Sequence, residues 1–180
     1  MSSAEQRFRA LHAEAHDDLM RFVRRRVPAD DAEDIVATVF MTVWRRLDDV
    51  PADARPWMFA VARNVMANQA RVRLRHGVVD VRMVTDTESW QPDAAAGTAT
   101  RVDLVRAWWT LTAADREVLA LVAFDGLALG QAAVVLGCRR STFTMRLTRA
   151  RRRLRAALDA EHGAAPADDV RGRQDSWSQA

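Results

Sequence analysis

Lysine is absent from the 180 residues, so all 27 basic side chains are arginines, set against 24 acids. Guanidinium forks suit bidentate contacts to phosphate and guanine. A single cysteine, Cys138, excludes an intrachain disulfide and a thiolate metal cluster. No apolar run approaches the roughly 20 residues that span a bilayer, so membrane insertion is not expected. The opening MSSAEQRFRA has no apolar signal-peptide core. A cytoplasmic, reduced protein is the expectation. There is no Gly-rich phosphate loop, no paired carboxylates in a cleft-like context and no nucleophile elbow. Nothing points to an enzyme or a cofactor. Strand-type alternation and internal repeats are also missing, so the fold expected is all-α.

What is present is an uneven charge distribution. Residues 1–54 hold eight arginines and eleven acids, and residues 55–75 hold five arginines and no acid. Residues 101–162 hold eleven arginines and six acids. Two separated basic helices stand on a mixed surface, which predicts two nucleic-acid contacts rather than one diffuse basic coat. The densest run, RRSTFTMRLTRARRRLR at 139–155, contains eight arginines and no acid. Phe143, Leu147, Ala150 and Leu154 recur through it at helical spacing, so they line one face. Like charges packed that closely repel unless a polyanion neutralises them. Upstream, Gly130 to Leu136 reads as a short helix that Gly137 breaks. Short helix, glycine turn and basic helix together make a helix-turn-helix, which lays its second helix in the DNA major groove.

Elsewhere, Phe8, Leu11, Ala15, Leu19, Phe22 and Val23 predict a first helix over about 4–27, ended by Pro28. Asp30 with Glu33 predicts a capping-box start for a second. Its apolar stripe is Ile35, Val36, Val39, Phe40, Val43, Trp44 and Leu47. After a turn-rich DDVPADA, Pro56 fits the first turn of a third helix running to about Leu74. Met58, Val61, Val65 and Val72 are expected inward. Residues 77–100 read as a flexible linker, with Val84 or Trp90 available to grip a surface. Helical pattern resumes with Val105, Trp108, Trp109 and Leu111, and Thr112 caps a helix with core residues Val118, Leu119, Val122 and Phe124. Asp125-Gly126 stops it. Residues 163–180 read as a disordered tail. The expected organisation is therefore two small helical domains, 1–76 and 101–162, joined by the linker.

Three motifs resemble the sigma-70 family of bacterial transcription initiation factors, in its extracytoplasmic-function (ECF) group. DDAEDIVATVFMTVWRRL is similar to the segment that docks on the RNA polymerase clamp, and RPWMFAVARNVMANQARVRLR to the −10 reader. LTAADREVLALVAFDGLALGQAAVVLGCRRSTFTMRLTRARRRL is similar to the −35 reader. The resemblance covers about residues 5–160. It implies a factor that binds core polymerase at its clamp and flap, directs it to −35/−10 promoters and assists −10 melting. It also implies an anti-sigma protein that clamps the two domains when the factor is idle.

For polymerase docking the resemblance points to Asp31, Asp34, Ala37, Thr38, Met41 and Arg45. Ala37 and Thr38 depart from the family, which usually carries a glutamine and a glutamate there. For the −10 element it points to Arg55, Trp57, Arg63, Asn64, Asn68 and Arg71: arginine suits phosphate, and an asparagine amide can donate and accept at base edges. For the −35 element, Thr144, Met145, Thr148 and Arg149 match the base-reading positions. Arg140, Ser141 and Thr142 lie at the helix start, where free backbone N–H groups favour phosphate. Arg146, Arg151, Arg152 and Arg155 read as backbone clamps. Arg139 stands where a capping Ser or Thr is common, so Ser141 is expected to take over the cap. His12 and His16 are four apart but lack a third ligand nearby, so no metal is expected. Three alternatives stay open: a stand-alone helix-turn-helix regulator, an interaction protein docking an acidic partner, and a nucleic-acid enzyme.

Overall fold

The computed structural model describes residues 2–75 and 98–163. The expectations for most of the linker, with Val84 and Trp90, and for the tail lie outside the described residues. Among those described, all regular structure is helical: α1 Ser3–Arg24, α2 Ala29–Arg45, a 3-10 turn Leu47–Asp49, α3 Ala54–Arg75, α4 Thr98–Thr110, α5 Ala113–Ala123, α6 Leu129–Val135 and α7 Arg140–Gly163. Helix α4 begins inside the stretch expected to link, at Thr98.

Helix α1 starts on a reciprocal cap. The Ser2 hydroxyl accepts from the Glu5 amide at 3.2 Å, and the Glu5 carboxylate accepts from the Ser2 amide at 3.2 Å. The expected capping box of α2 does not form. The helix begins one residue before Asp30, after an extended Pro28 at φ −54° and ψ 149°, and no side chain caps it. Asp30 and Asp31 fall in its first turn instead, where negative charge opposes the helix dipole.

In the first three helices the apolar core is built from Leu19, Phe22 and Val23 of α1, Ile35, Val36, Val39, Phe40 and Val43 of α2, and Met58, Phe59 and Ala62 of α3. Phe22 and Phe59 stack with ring centroids 4.2 Å apart. Two expected core residues are exposed. Trp44 remains 48% accessible, because Phe8 covers it only edge-on at 5.2 Å. Val72 is also exposed, on the last turns of α3, which bury nothing beyond Ala62. Leu47 is buried, but from the 3-10 turn rather than from α2.

The same apolar cluster continues through Trp108 and Leu111 of α4, Val118, Leu119 and Leu121 of α5, Ala132, Ala133 and Val135 of α6, and Phe143, Leu147 and Ala150 of α7, with α3 packed against α6. Val122 is only half-buried and Phe124 lies at the surface, edge-on to Trp108 at 5.6 Å. The Thr112 hydroxyl accepts from the Asp115 amide at 3.2 Å, as a cap should. Helix α7 begins at Arg140, with the Arg139 carbonyl accepting from the Phe143 amide at 3.0 Å. Ser141 is thus inside the first turn and is not the cap.

The α6–α7 turn depends on Gly137, whose φ is +61°. Open space surrounds the position a Cβ would take, so only backbone conformation opposes a side chain there. Gly137→Ala is expected to destabilise this half by about 1–2 kcal/mol, the left-handed penalty of an L-residue. Urea denaturation followed by circular dichroism measures it; an unchanged midpoint contradicts the assignment.

Candidate nucleic-acid and protein interfaces

The amphipathic pattern of α7 buries Phe143, Leu147 and Ala150 and turns every other side of the helix outward. Arg140, Ser141, Thr144, Met145, Arg146, Thr148, Arg149, Arg151, Arg152 and Arg155 are exposed, and Thr142 is half-buried. The Thr144 hydroxyl donates to the Arg140 carbonyl at 2.9 Å, and Thr148 to the Thr144 carbonyl at 3.0 Å. Each hydroxyl oxygen keeps lone pairs to accept from a base edge. Arg153 is different: it donates at 2.6 Å to Asp115, which also takes the Thr112 hydroxyl at 2.8 Å. That arginine ties α7 to α5.

On α3, Arg63, Asn64, Asn68 and Arg71 are exposed and fall on one side of the helix. Trp57 is half-buried, with the Arg46 guanidinium 5.8 Å from its ring centroid. Arg55 is not part of this face. It pairs with Asp18 of α1, donates to the Asp125 carbonyl, and lies 5.0 Å from the Phe59 ring. Partial burial pushes the Asp18 carboxyl up, but hydrogen bonds and charge from Arg55 and Arg21 outweigh this and hold it below the ordinary value.

On α2, Asp34, Ala37, Thr38, Met41 and Arg45 are exposed together. Asp31 is only half-exposed and accepts from Arg73 at 2.6 Å, so it braces α2 against α3. Met41 and Trp44 border an apolar groove between α1 and α2, floored by Phe8 and Phe40. His12 and His16 lie against the Phe40 ring at 4.3 and 6.1 Å. Among the described residues, no three His, Cys, Asp or Glu side chains gather as a metal site requires.

One cluster has no local signal in the sequence. Asp125, its side chain fully buried, accepts from Arg25 and, at 2.6 Å, from Arg26. Arg26 also meets Glu117 at 3.2 Å and lies 3.7 Å from the Phe22 ring centroid. Burial alone lowers the Arg26 pKa, yet Glu117 and Asp125 reverse this and raise it above the usual value. Nearby, Gln131 of α6 donates to Asp53 at 2.9 Å. Partners about 100 residues apart in sequence are invisible to periodicity and spacing.

Known proteins match this arrangement along the chain. The family described as Sigma-70 region 2 matches residues 11–76, and Sigma-70, region 4 matches residues 102–154. RNA polymerase sigma factor NccH of Alcaligenes xylosoxydans xylosoxydans is 32% identical over 142 residues, covering 74% of this chain and 76% of that protein. ECF RNA polymerase sigma factor SigL of Mycobacterium tuberculosis is 31% identical over 155 residues, covering 83% and 88%. The sigma factor RpoE from Bartonella quintana, solved in complex with the anti-sigma factor NepR, superposes with a TM-score of 0.61 at 26% identity, covering 83% of this chain and 97% of that one. Both regions in their order, on an all-helical fold with a helix-turn-helix in the second, place the chain in the sigma-70 family of RNA polymerase sigma factors, in its ECF group.

Proposed function

We propose that this sigma factor binds core RNA polymerase through the exposed face of α2, reads a −35 element with α7 and a −10 element with α3, and helps open the −10 region. The observation that carries this reading is the outward face of α7. Its arginines surround Thr144, Met145, Thr148 and Arg149, with the apolar side of the helix consumed by the core. Such a face supplies phosphate clamps around a few base-reading groups. Unpairing bases costs a few kcal/mol, so an opening protein must hold the single strand more tightly than the duplex. The Arg63, Asn64, Asn68 and Arg71 face offers both cations and amides for that. Linking two modest sites raises the effective concentration at the second once the first is engaged. All of this work is binding, and the polymerase supplies the chemistry.

Met41 and Trp44 add exposed apolar area beside Ala37 and Thr38, where the family's usual polar pair is missing. Buried aromatic anchors dominate protein interfaces. Trp44→Ala combined with Met41→Asp is expected to weaken core polymerase binding about 10-fold or more. Titration of labelled factor with core enzyme measures it, and unchanged affinity removes this face from the interface. Likeness to a factor solved with its anti-sigma partner supports such a regulator here too. A promoter reader works in the cytoplasm; among the described residues, no helix is long and apolar enough to cross a membrane.

Run-off transcription with core polymerase on a promoter library tests the whole reading. Added factor is expected to create new start sites behind a shared −35/−10 pair. A start pattern identical to that of core enzyme alone overturns it, and DNA binding without polymerase association supports a stand-alone regulator instead.

A further inference from the structure

We propose that Asp115 and Arg153 set −35 selectivity without touching DNA: the carboxylate holds one arginine of α7 aside, so that Arg149, one turn away, is free to read a base. Arg146, Arg149 and Arg153 recur at steps of three and four, so they form one row along α7, beside its apolar stripe. All three are exposed, and α7 carries no acid before Asp159. Like charges at such spacing repel. The counter-charge for the row comes from another helix. Asp115, in the first turn of α5, accepts from Arg153 at 2.6 Å, its side chain 10% exposed against 56% for the arginine. The Thr112 hydroxyl donates to the same carboxylate oxygen at 2.8 Å. Arg153 is thereby turned toward α5, and one of the three charges in the row is neutralised.

The pair bears on Arg149 through what each partner does when left alone. A nearly buried carboxylate that loses its cation draws the next one within reach. Along the row that cation is Arg149, one turn from Arg153. Without the carboxylate, Arg153 is released beside Arg149 and competes with it for the same stretch of DNA. Each single loss therefore disturbs Arg149, through charges of opposite sign. Loss of both partners together leaves neither a bare carboxylate nor a released cation, and Arg149 is again unopposed. A pair that only held α7 in place would behave differently, because removing both partners would leave the helix no better held than removing one. Helix α5 itself does not depend on the pair. Its cap is the Thr112 hydroxyl on the Asp115 main-chain amide, which an asparagine keeps.

The inference rests on the −35 reading of α7, and its test is run-off transcription by holoenzyme on promoters differing at single −35 positions. Asp115→Asn and Arg153→Gln are each expected to cut the preference at the position Arg149 reads by about threefold or more, a part of the discrimination that one bidentate contact supplies. The double variant, Asp115→Asn with Arg153→Gln, is expected to recover the wild-type preference, a non-additivity that marks coupled partners. Arg153→Lys keeps a cation for Asp115 and is expected to retain the preference. Circular dichroism checks that each variant folds; if Asp115→Asn unfolds, the contrast of Arg153→Gln with Arg153→Lys still decides. Single variants with the wild-type preference, or a double variant no better than either single, overturn the proposal. So does a double variant whose log–log salt slope is flatter by about 0.9, because Arg153 is then a phosphate clamp. Arg149→Ala in the same assay separates two failures. If it collapses the preference while both single variants keep it, the pair plays no part in selectivity. If it too keeps the preference, the −35 reading falls and takes this inference with it.

Discussion

Phe143→Ala is expected to unfold the helix-turn-helix half while the first half stays folded. Phe143 is fully buried at the first inward position of α7, in the core that also holds Val135, Leu147 and Ala150. Truncating a buried phenylalanine costs about 3–5 kcal/mol, because the removed ring's transfer energy is lost and a cavity remains. A unit the size of residues 98–163 has only about 3–10 kcal/mol of stability at ordinary values per residue. The loss therefore approaches the whole. Hydrogen exchange by mass spectrometry reads the two halves separately: amides of α5 to α7 lose protection, and those of α1 to α3 keep it. Met145, two positions on and 54% exposed, is the control. Met145→Ala is expected to change stability by less than about 0.5 kcal/mol. Full protection of α7 in Phe143→Ala contradicts the core described above.

Arg149→Ala is expected to cost promoter selectivity rather than general affinity. Arg149 projects from α7 beside Thr148 and one turn from Met145, with no apolar neighbour claiming it. A bidentate base contact contributes about 1–3 kcal/mol of discrimination, which is roughly 5- to 150-fold between a correct and a wrong base. Holoenzyme assayed on promoters differing at single −35 positions shows this as a collapsed preference at one position. Arg152→Ala is the informative contrast. A phosphate clamp acts alike on all sequences, and its loss is expected to flatten the log–log salt slope by about 0.9. If Arg149→Ala weakens every promoter equally and flattens the slope, Arg149 is a clamp and the reading belongs to its neighbours.

Neighbouring arginines on α7 show where local pattern reaches and where it stops. Spacing alone separates the buried Phe143, Leu147 and Ala150 from their exposed neighbours on α7, because a helix presents each face at a fixed period. It cannot separate Arg152 from Arg153, both exposed, of which Arg153 bonds Asp115. The two have the same chemistry and adjacent positions; only the placement of α5 against α7 distinguishes them. Trp44 lies in the apolar stripe of α2 by period, yet half of it faces solvent, because coverage depends on what lies opposite. Asp30 has the identity and spacing of a cap, but the backbone enters the helix one residue earlier, after Pro28. The exposed faces of α2, α3 and α7 were legible because each is what remains when an apolar stripe is subtracted from a helix.

The order of amino acids by itself determined the seven α-helices among the described residues, the inward stripe of most of them, the glycine turn before α7 and the concentration of arginine on two helices, since all of these follow from neighbours within a few turns. Tertiary packing decided that Asp125 meets Arg25 and Arg26, that Arg55 turns away from the face expected to read DNA, and that Asp31 braces Arg73. Each of those contacts joins residues more than 30 apart, and no repeat of three or four encodes a distance that only the packed chain creates.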